Sequence, residues 1–120
     1  MTKINKLNLV KDALSDVAEI CNITEGELSI DYSLDLDEEL YRELEKLTEM
    51  TLVLKKALTG KDMVAVQAAL IMSRIYSMNL RNFFNDIYDD IETIGRSDGY
   101  NWPEIPEGYQ LSEHYKFSNR

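Results

Sequence analysis

Residues 62–94 decide the fold, and they read DMVAVQAALIMSRIYSMNLRNFFNDIYDDIETI, with no internal glycine or proline. Apolar residues recur at steps of three and four through this stretch, which predicts one long helix. They form two seams: the first is Val64, Ala68, Ile71, Ile75 and Met78, and the second is Leu80, Phe84, Ile87, Ile91 and Ile94. A surface helix normally shows only one apolar stripe. We therefore expect this helix to be covered on more than one side, by several helices of its own chain or by a second copy.

The preceding residues, 35–59, are predicted to form the second long helix. Residues 35–38 match a capping box with an acidic first turn, which suits the positive end of a helix dipole. The apolar seam of this helix is Leu36, Leu40, Leu44, Leu47, Thr51, Leu54 and Leu58. Gly60 is expected to end it in the left-handed conformation, and Asp62 to cap the helix over 62–94. Such a short connection forces the two helices into an antiparallel αα-hairpin.

Two further helices and an irregular tail complete the prediction. An apolar heptad pattern predicts an N-terminal helix over about 3–22, and a capping box at Thr24 predicts a short helix over about 25–30. The aromatic-rich tail, 96–120, contains prolines that exclude regular helix, and it either straps across the bundle or docks a partner. We favour strapping. The predicted fold is all-α, a small single-domain helical bundle over residues 1–120 built on the long hairpin.

The charge balance restricts the possible partners. The chain has 22 acidic and 13 basic residues, a formal net charge of −9. Phosphate backbones and anionic lipids repel such a protein, so direct nucleic-acid binding and membrane binding are disfavoured. Cys21 is the only cysteine, and no segment reads as a signal peptide or membrane span. A cytoplasmic location is expected, in the host cytoplasm if the protein is phage-encoded.

The predicted hairpin gathers like charges. Residues whose numbers sum to about 121 should face each other if the turn is centred near Gly60. The acidic end then contains Asp35, Asp37, Glu38, Glu39, Asp86, Asp89 and Asp90. The opposite end carries Lys55, Lys56 and Lys61. The acidic end has three interpretations: a solvated pole, a surface that binds a basic patch on another protein, or a divalent metal site. The metal site would draw on Glu39, Glu43, Asp86, Asp89 and Asp90, whose oxygen ligands suit magnesium.

The leading functional hypothesis is a non-enzymatic interaction protein that binds, and inhibits or adapts, a protein partner with a basic patch. Proteins of this type include phage-encoded inhibitors and nucleic-acid mimics. No cofactor is expected. Aromatic residues ringed by charge are typical of protein interfaces. The candidate contact residues are Asp35, Asp37, Glu38, Glu39, Tyr41, Asp86, Tyr88, Asp89, Asp90, Tyr100 and Trp102. The uncovered apolar surface also predicts a homo-oligomer, a dimer or higher.

Two resemblances supply alternative functions. The run from Glu38 to Glu43, followed by Asp86 and Asp89 three residues apart, resembles the carboxylate elements of MazG-type nucleotide pyrophosphohydrolases. This resemblance implies metal-dependent hydrolysis of nucleotides. The order of N-terminal helical unit, central hairpin and C-terminal tail looks like that of phage small terminase subunits, which implies an oligomeric assembly component. Serine-nucleophile, phosphate-loop and zinc motifs are absent from the sequence, which favours a non-enzymatic protein.

Overall fold

The computed structural model describes residues 6–115, and these contain three α-helices and no β-strand. The helices are α1 (Lys6–Ile20), α2 (Leu36–Thr59) and α3 (Met63–Gly95). Single 3₁₀ turns lie at Glu25–Glu27 and Glu113–Tyr115. The predicted all-α class and the hairpin of two long helices are confirmed. The short helix predicted over 25–30 is only one 3₁₀ turn, and residues 3–5 of the predicted first helix lie outside the described range.

Helix α1 ends two residues before its predicted boundary because Asn22 adopts the left-handed conformation, with φ of 60°. The backbone N–H of Ile23 then donates to the carbonyl of Ala18 at 2.9 Å, which satisfies one of the last free carbonyls of the helix. Asparagine is one of the few residues that adopts this conformation readily. The chain therefore turns back towards α3 directly after Cys21.

The turn of the hairpin differs in one residue from the prediction. Gly60 has φ of −84°, and Lys61 adopts the left-handed conformation instead, with φ of 56°. Helix α2 ends at Thr59 as predicted, and the left-handed residue that reverses the chain is the one after Gly60. The N–H of Asp62 donates to the carbonyl of Ala57 at 2.9 Å, and the Asp62 carboxylate caps α3 by accepting from the N–H of Ala65 at 3.1 Å. Asp62 therefore has its predicted role, and Gly60 does not.

The two long helices pair in the predicted register. The side-chain amide of Asn79 donates to the Glu43 carboxylate at 3.1 Å, a pair whose numbers sum to 122. Because α3 is longer than α2, its last turns extend past the beginning of α2. Those turns pack against α1 and the segment after it.

The largest apolar cluster lies at this end of the molecule. Ala18, Cys21 and Ile94 are buried there, and Leu14, Val17, Ile23 and Leu28 pack against them. We call this region the base, made of α1, residues 21–37 and residues 90–99. It holds most of the large buried side chains of the described residues.

The remaining part of the hairpin, residues 40–86, is called the shaft, and it buries little. Its buried hydrophobic residues are Ala57, Val66 and Ala69, all small. The radius of gyration is 19.9 Å, against about 14 Å for a compact domain of this length. The first seam of α3 is exposed at every position, from Val64 (82%) through Ile71 (47%) to Met78 (39%). No helix within the described range covers that seam.

Candidate functional site

An acidic groove lies where the shaft meets the base. It has a volume of about 290 Å³ and is bounded by the first half of α2, the matching part of α3 and the segment before α2. Four carboxylates line it, from Asp31, Glu39, Glu43 and Asp86. The other walls are mostly apolar and come from Ile30, Leu34, Leu36, Phe83 and Ile87. Asn79 and Asn82 also line the groove.

Two of these carboxylates have cations beside them. Arg42 forms an ion pair with Glu39, one turn away on α2. Lys46 lies 3.1 Å from the Glu43 carboxylate, which also accepts from Asn79. Partial burial acts to raise the pKa of Glu43, but the hydrogen bonds from Lys46 and Asn79, with the charges of Lys46 and Arg42, bring that pKa below its usual value. The Glu43 carboxylate is thus held ionised on the α2 side of the groove, and the Glu39 carboxylate has a cation beside it.

Asp86 differs from them, because it has no hydrogen-bond or ion-pair partner among residues 6–115. Burial raises its pKa, and the negative charges of Asp90 and Asp89 raise it further. A half-buried carboxylate beside like charges favours any cation that can approach it. The α3 side of the groove therefore offers an uncompensated negative charge.

Asp90 does not belong to the accessible acidic surface. Its side chain is 1% exposed, and it accepts hydrogen bonds from the N–H groups of Ser29 (2.6 Å) and Ile30 (2.9 Å) and from the Tyr32 hydroxyl (2.9 Å). Burial, together with the bond to Asp90, raises the pKa of Tyr32 well above its usual value. Asp90 thus fixes the segment after α1 to α3. Its predicted role in contacting a partner does not fit this placement.

Asp35 and Asp37 are also engaged within the base. The Asp37 carboxylate accepts from the backbone N–H groups of Leu7 and Asn8, both at 3.0 Å, at the beginning of α1. Asn8 in return accepts from the N–H of Leu36 at 2.8 Å and donates its amide to Asp35 at 2.8 Å. The first turns of α1 and α2 therefore cap each other. Two negative charges near two positive helix ends also stabilise this junction.

The remaining predicted contact residues lie at the surface and do not line the groove; Glu38 and Tyr41 line a second pocket on α2, with Arg42, Glu45, Lys46 and Glu49. Glu38, Tyr41 and Tyr88 are exposed, and Asp89 is half-buried and accepts from Asn85 at 3.2 Å. A hydrogen bond to Glu45 raises the pKa of Tyr41. Of the predicted acidic cluster, Glu38, Glu39, Asp86 and Asp89 therefore remain near the surface.

The tail begins against the base and is then exposed. A Cβ atom on Gly99 would lie 1.9 Å from the carbonyl oxygen of Cys21, so only glycine fits this contact. The rings of Tyr100 and Trp102 lie edge to face, with centroids 5.0 Å apart, and both are exposed. The sequence reading missed the close approach at Gly99 and the capping role of Asn8. A glycine in the short segment after the long helix was the available signal for the first of these.

The proposed metal ligands do not gather into a site. No group of three histidine, cysteine, aspartate or glutamate residues within the described range could hold a metal ion. Both oxygens of Asp90 accept internal hydrogen bonds, and Asn85 donates to Asp89. The candidates for the divalent metal site, which was one of three interpretations of the acidic end, therefore do not come together: Glu39, Glu43, Asp86, Asp89 and Asp90.

One helix within the described range, α3, is long and apolar enough to cross a membrane by length and composition alone. Its most apolar window has a mean hydropathy of 1.2, and 11% of that window is buried. The core helix of a soluble protein passes the same test. This property does not decide where the protein resides, and the cytoplasmic location stays a prediction.

These features define a small all-α protein built on a helical hairpin, with an acidic groove between its shaft and base. The chain belongs to a family of unknown function (DUF6853), which matches residues 7–104. The match includes all three helices, the groove residues and Gly99, and it ends within the tail. Neither the curated proteins nor the solved structures contain a match.

Proposed function

We propose that this protein is a non-enzymatic interaction protein, which binds a basic side chain of a protein partner in its acidic groove. The observation that carries the proposal is the Asp86 carboxylate, which lines the groove without a cation among the described residues. Binding of such a partner would inhibit it or adapt it to another task.

The chemistry of the groove suits a lysine or arginine. Long basic side chains lay their methylene groups along apolar surface and keep the charged head on a polar group. Phe83 and Ile87 supply apolar wall, and Asp86 lies on the same helix. A charge-assisted hydrogen bond to the Asp86 carboxylate would orient the basic group. Glu39 adds negative charge from the opposite wall.

Exposed side chains outside the groove agree with the same function. Tyr41 and Tyr88 are exposed aromatic residues, and Glu38 is an exposed acid on the first turn of α2. Exposed charge attracts a basic partner over a distance, and salt screens that attraction. We therefore expect the affinity for the partner to fall markedly as the salt concentration rises.

The test is capture of partners from a lysate of the source cell, with the full chain immobilised and bound proteins identified by mass spectrometry. The groove variant combines Asp86→Asn with Glu39→Gln. Its control combines Glu104→Gln with Glu107→Gln, which removes the same charge from the exposed tail. We expect a basic protein that the native chain and the control retain at low salt, with at least tenfold less on the groove variant. Equal retention by the two variants would refute the groove as the binding site.

The structure bears differently on the two alternative functions, the MazG-like hydrolase and the assembly component. The MazG-like hydrolase requires a carboxylate cluster that could hold a metal ion, and residues 6–115 contain none. The assembly component requires a surface that binds other copies of the chain. The exposed first seam of α3 favours such a surface, whether or not the protein resembles a small terminase.

A further inference from the structure

The first seam of α3 is an apolar strip that the described chain leaves open to water. From Val64 to Met78 it spans 14 residues, or about 21 Å of helix. Every residue of the seam is exposed, and Met72 beside it is exposed as well. Contiguous apolar strips of this size on a soluble protein mark sites of interaction.

The accessible surface of the chain is larger than that of a compact monomer. It is 9607 Å², whereas a compact protein of 13.9 kDa has about 6,700 Å². Part of the excess of about 2,900 Å² belongs to the extended tail, and part belongs to the shaft. A standard protein interface buries about 800 Å² on each partner. The shaft can therefore supply the area that a stable dimer needs.

The charges along α3 select the orientation of a second copy. Beyond Met78, the repeat of the seam continues through Asn82, Asn85 and Asp89, with Asp86 beside it, so the strip is apolar in one half and polar to acidic in the other. The turn at the apolar end carries Lys55, Lys56 and Lys61. A parallel pair would place acid beside acid and lysine beside lysine. An antiparallel pair places the lysine turn of each copy beside the acidic half of the other.

We infer that a second copy of this chain covers the first seam, with the two α3 helices antiparallel and related by a two-fold axis near Ile71. Apolar residues then meet apolar residues across the axis, as an isologous interface requires. Lys61 of the second copy lies opposite Arg81, and Asp86 lies roughly 8 Å further along the helix, where the acidic half begins. The two shafts together form a four-helix arrangement, in which each lysine turn lies near an acidic groove.

A lipid bilayer is the competing occupant of the strip. Arg74 and Arg81 place two positive charges among the apolar residues of α3. Three aspartates follow before the helix ends. Charges at these positions are costly in hydrocarbon. Flotation with vesicles of phosphatidylcholine and phosphatidylglycerol provides the comparison. Chain that floats with vesicles and has the mass of a monomer in their absence would overturn the inference.

The first experiment measures molar mass by light scattering for the full chain and two variants. Ile71→Asp changes the seam, and Leu70→Asp changes the adjacent residue, which is equally exposed at 49% against 47% but points about 100° away around the helix. We expect twice the 13.9 kDa chain mass for the native chain and for Leu70→Asp. Ile71→Asp should have the mass of one chain, with a dissociation constant weakened at least a hundredfold and unchanged helicity. A monomeric native chain, or dissociation by Leu70→Asp alone, would overturn the inference.

The second experiment tests the orientation by disulfide formation. Cysteine at position 71, Ile71→Cys, lies near the proposed axis and should link two copies under mild oxidation. Cysteine at position 64, Val64→Cys, should not link, because the two copies of this residue would be about 21 Å apart, beyond the reach of a disulfide. Linking through both positions would indicate a parallel dimer, and linking through neither would exclude pairing by this seam.

The inference does not depend on the proposed function, and the two fail separately. A monomer that still retains a basic protein through Asp86 and Glu39 would overturn the dimer and leave the groove as a binding site. A dimer through Ile71 whose groove variant retains partners as well as the native chain would leave the dimer and refute the proposed function.

Discussion

The base and the shaft use the same helices in opposite ways. At the base, three segments converge, and they bury Cys21 and Ile94 together with the charged side chain of Asp90. Along the shaft, only two helices meet, and large apolar residues such as Ile71 remain exposed. The base is therefore complete within one chain, whereas the shaft presents surface that a second body can cover.

The comparison also separates two uses of acidic residues. Asp90, Asp37 and Asp35 lie at the base, where their carboxylates accept hydrogen bonds from backbone or side-chain donors. Asp86 and Asp89 lie on the adjacent turn of α3 and near the surface. Neighbouring aspartates of one helix thus divide between holding the fold and lying near the surface. Replacing them one by one tests this division.

The largest effect is expected from Asp90→Asn. The amide has one oxygen in place of two, so its NH₂ group would face one of the two N–H donors, that of Ser29 or that of Ile30. Leaving buried donors unsatisfied and losing charge-assisted hydrogen bonds should lower the free energy of unfolding by about 3 kcal/mol. Urea denaturation at fixed protein concentration measures this loss.

Asp89→Asn is the matched control for that variant. It makes the same chemical change one residue earlier, where the carboxylate is half-buried and accepts only from Asn85. A change within about 0.5 kcal/mol is expected, as for most surface substitutions. Equal losses for the two variants would contradict the structural role that we assign to Asp90.

A smaller effect is expected from Gly99→Ala, which tests where the base ends. The new Cβ would clash with the backbone carbonyl of Cys21, so the tail must move away from α1. We expect a loss of about 1–3 kcal/mol, as for other substitutions that overpack a close contact. Loss of amide protection at residues near 97–99 in hydrogen exchange would locate the change.

Gly95→Ala should change the free energy of unfolding in the opposite direction, at the end of α3. Nothing lies within 4 Å of a Cβ at this position, and Gly95 is the last residue of α3. Alanine restricts the unfolded chain, so a gain of about 0.4–1 kcal/mol is expected. A stabilising Gly99→Ala would show that the tail does not pack on α1.

Much of the fold was predictable because its signals are local. Apolar periodicity located α2 and α3 to within one residue, and Asp62 was recognised as a cap from its position before a periodic run. The register of Glu43 with Asn79 follows from the short connection. Helix period and turn length depend on neighbours in sequence, and a single sequence contains them.

The site was less predictable because it depends on contacts between distant segments. From sequence alone, an aspartate near the end of a helix is expected to be solvated. Asp90 is buried because residues 29–32 pack back onto α3. Asn8 and Asp37 are 29 residues apart, and no periodicity links them. The predicted acidic end therefore contained both structural and surface carboxylates. Only the three-dimensional arrangement separates Asp86 from Asp90.

The smallest effect is expected from Asp86→Asn, measured as the free energy of unfolding at different pH values. The measurement uses the Ile71→Asp chain as background, so that a second copy contributes no charge. Because burial and the charges of Asp90 and Asp89 raise the pKa of Asp86 in the folded state, its ionised form costs stability at neutral pH. Asp86→Asn should then raise the free energy of unfolding there, by less than about 1 kcal/mol. The gain should shrink as the pH falls through the raised pKa, and vanish below the ordinary pKa of aspartate.

Asp31→Asn should show the opposite sign, because hydrogen bonds from the Ser33 hydroxyl and N–H lower the pKa of Asp31. A pH-independent effect of Asp86→Asn would mean that Asp86 is not the uncompensated charge of the groove.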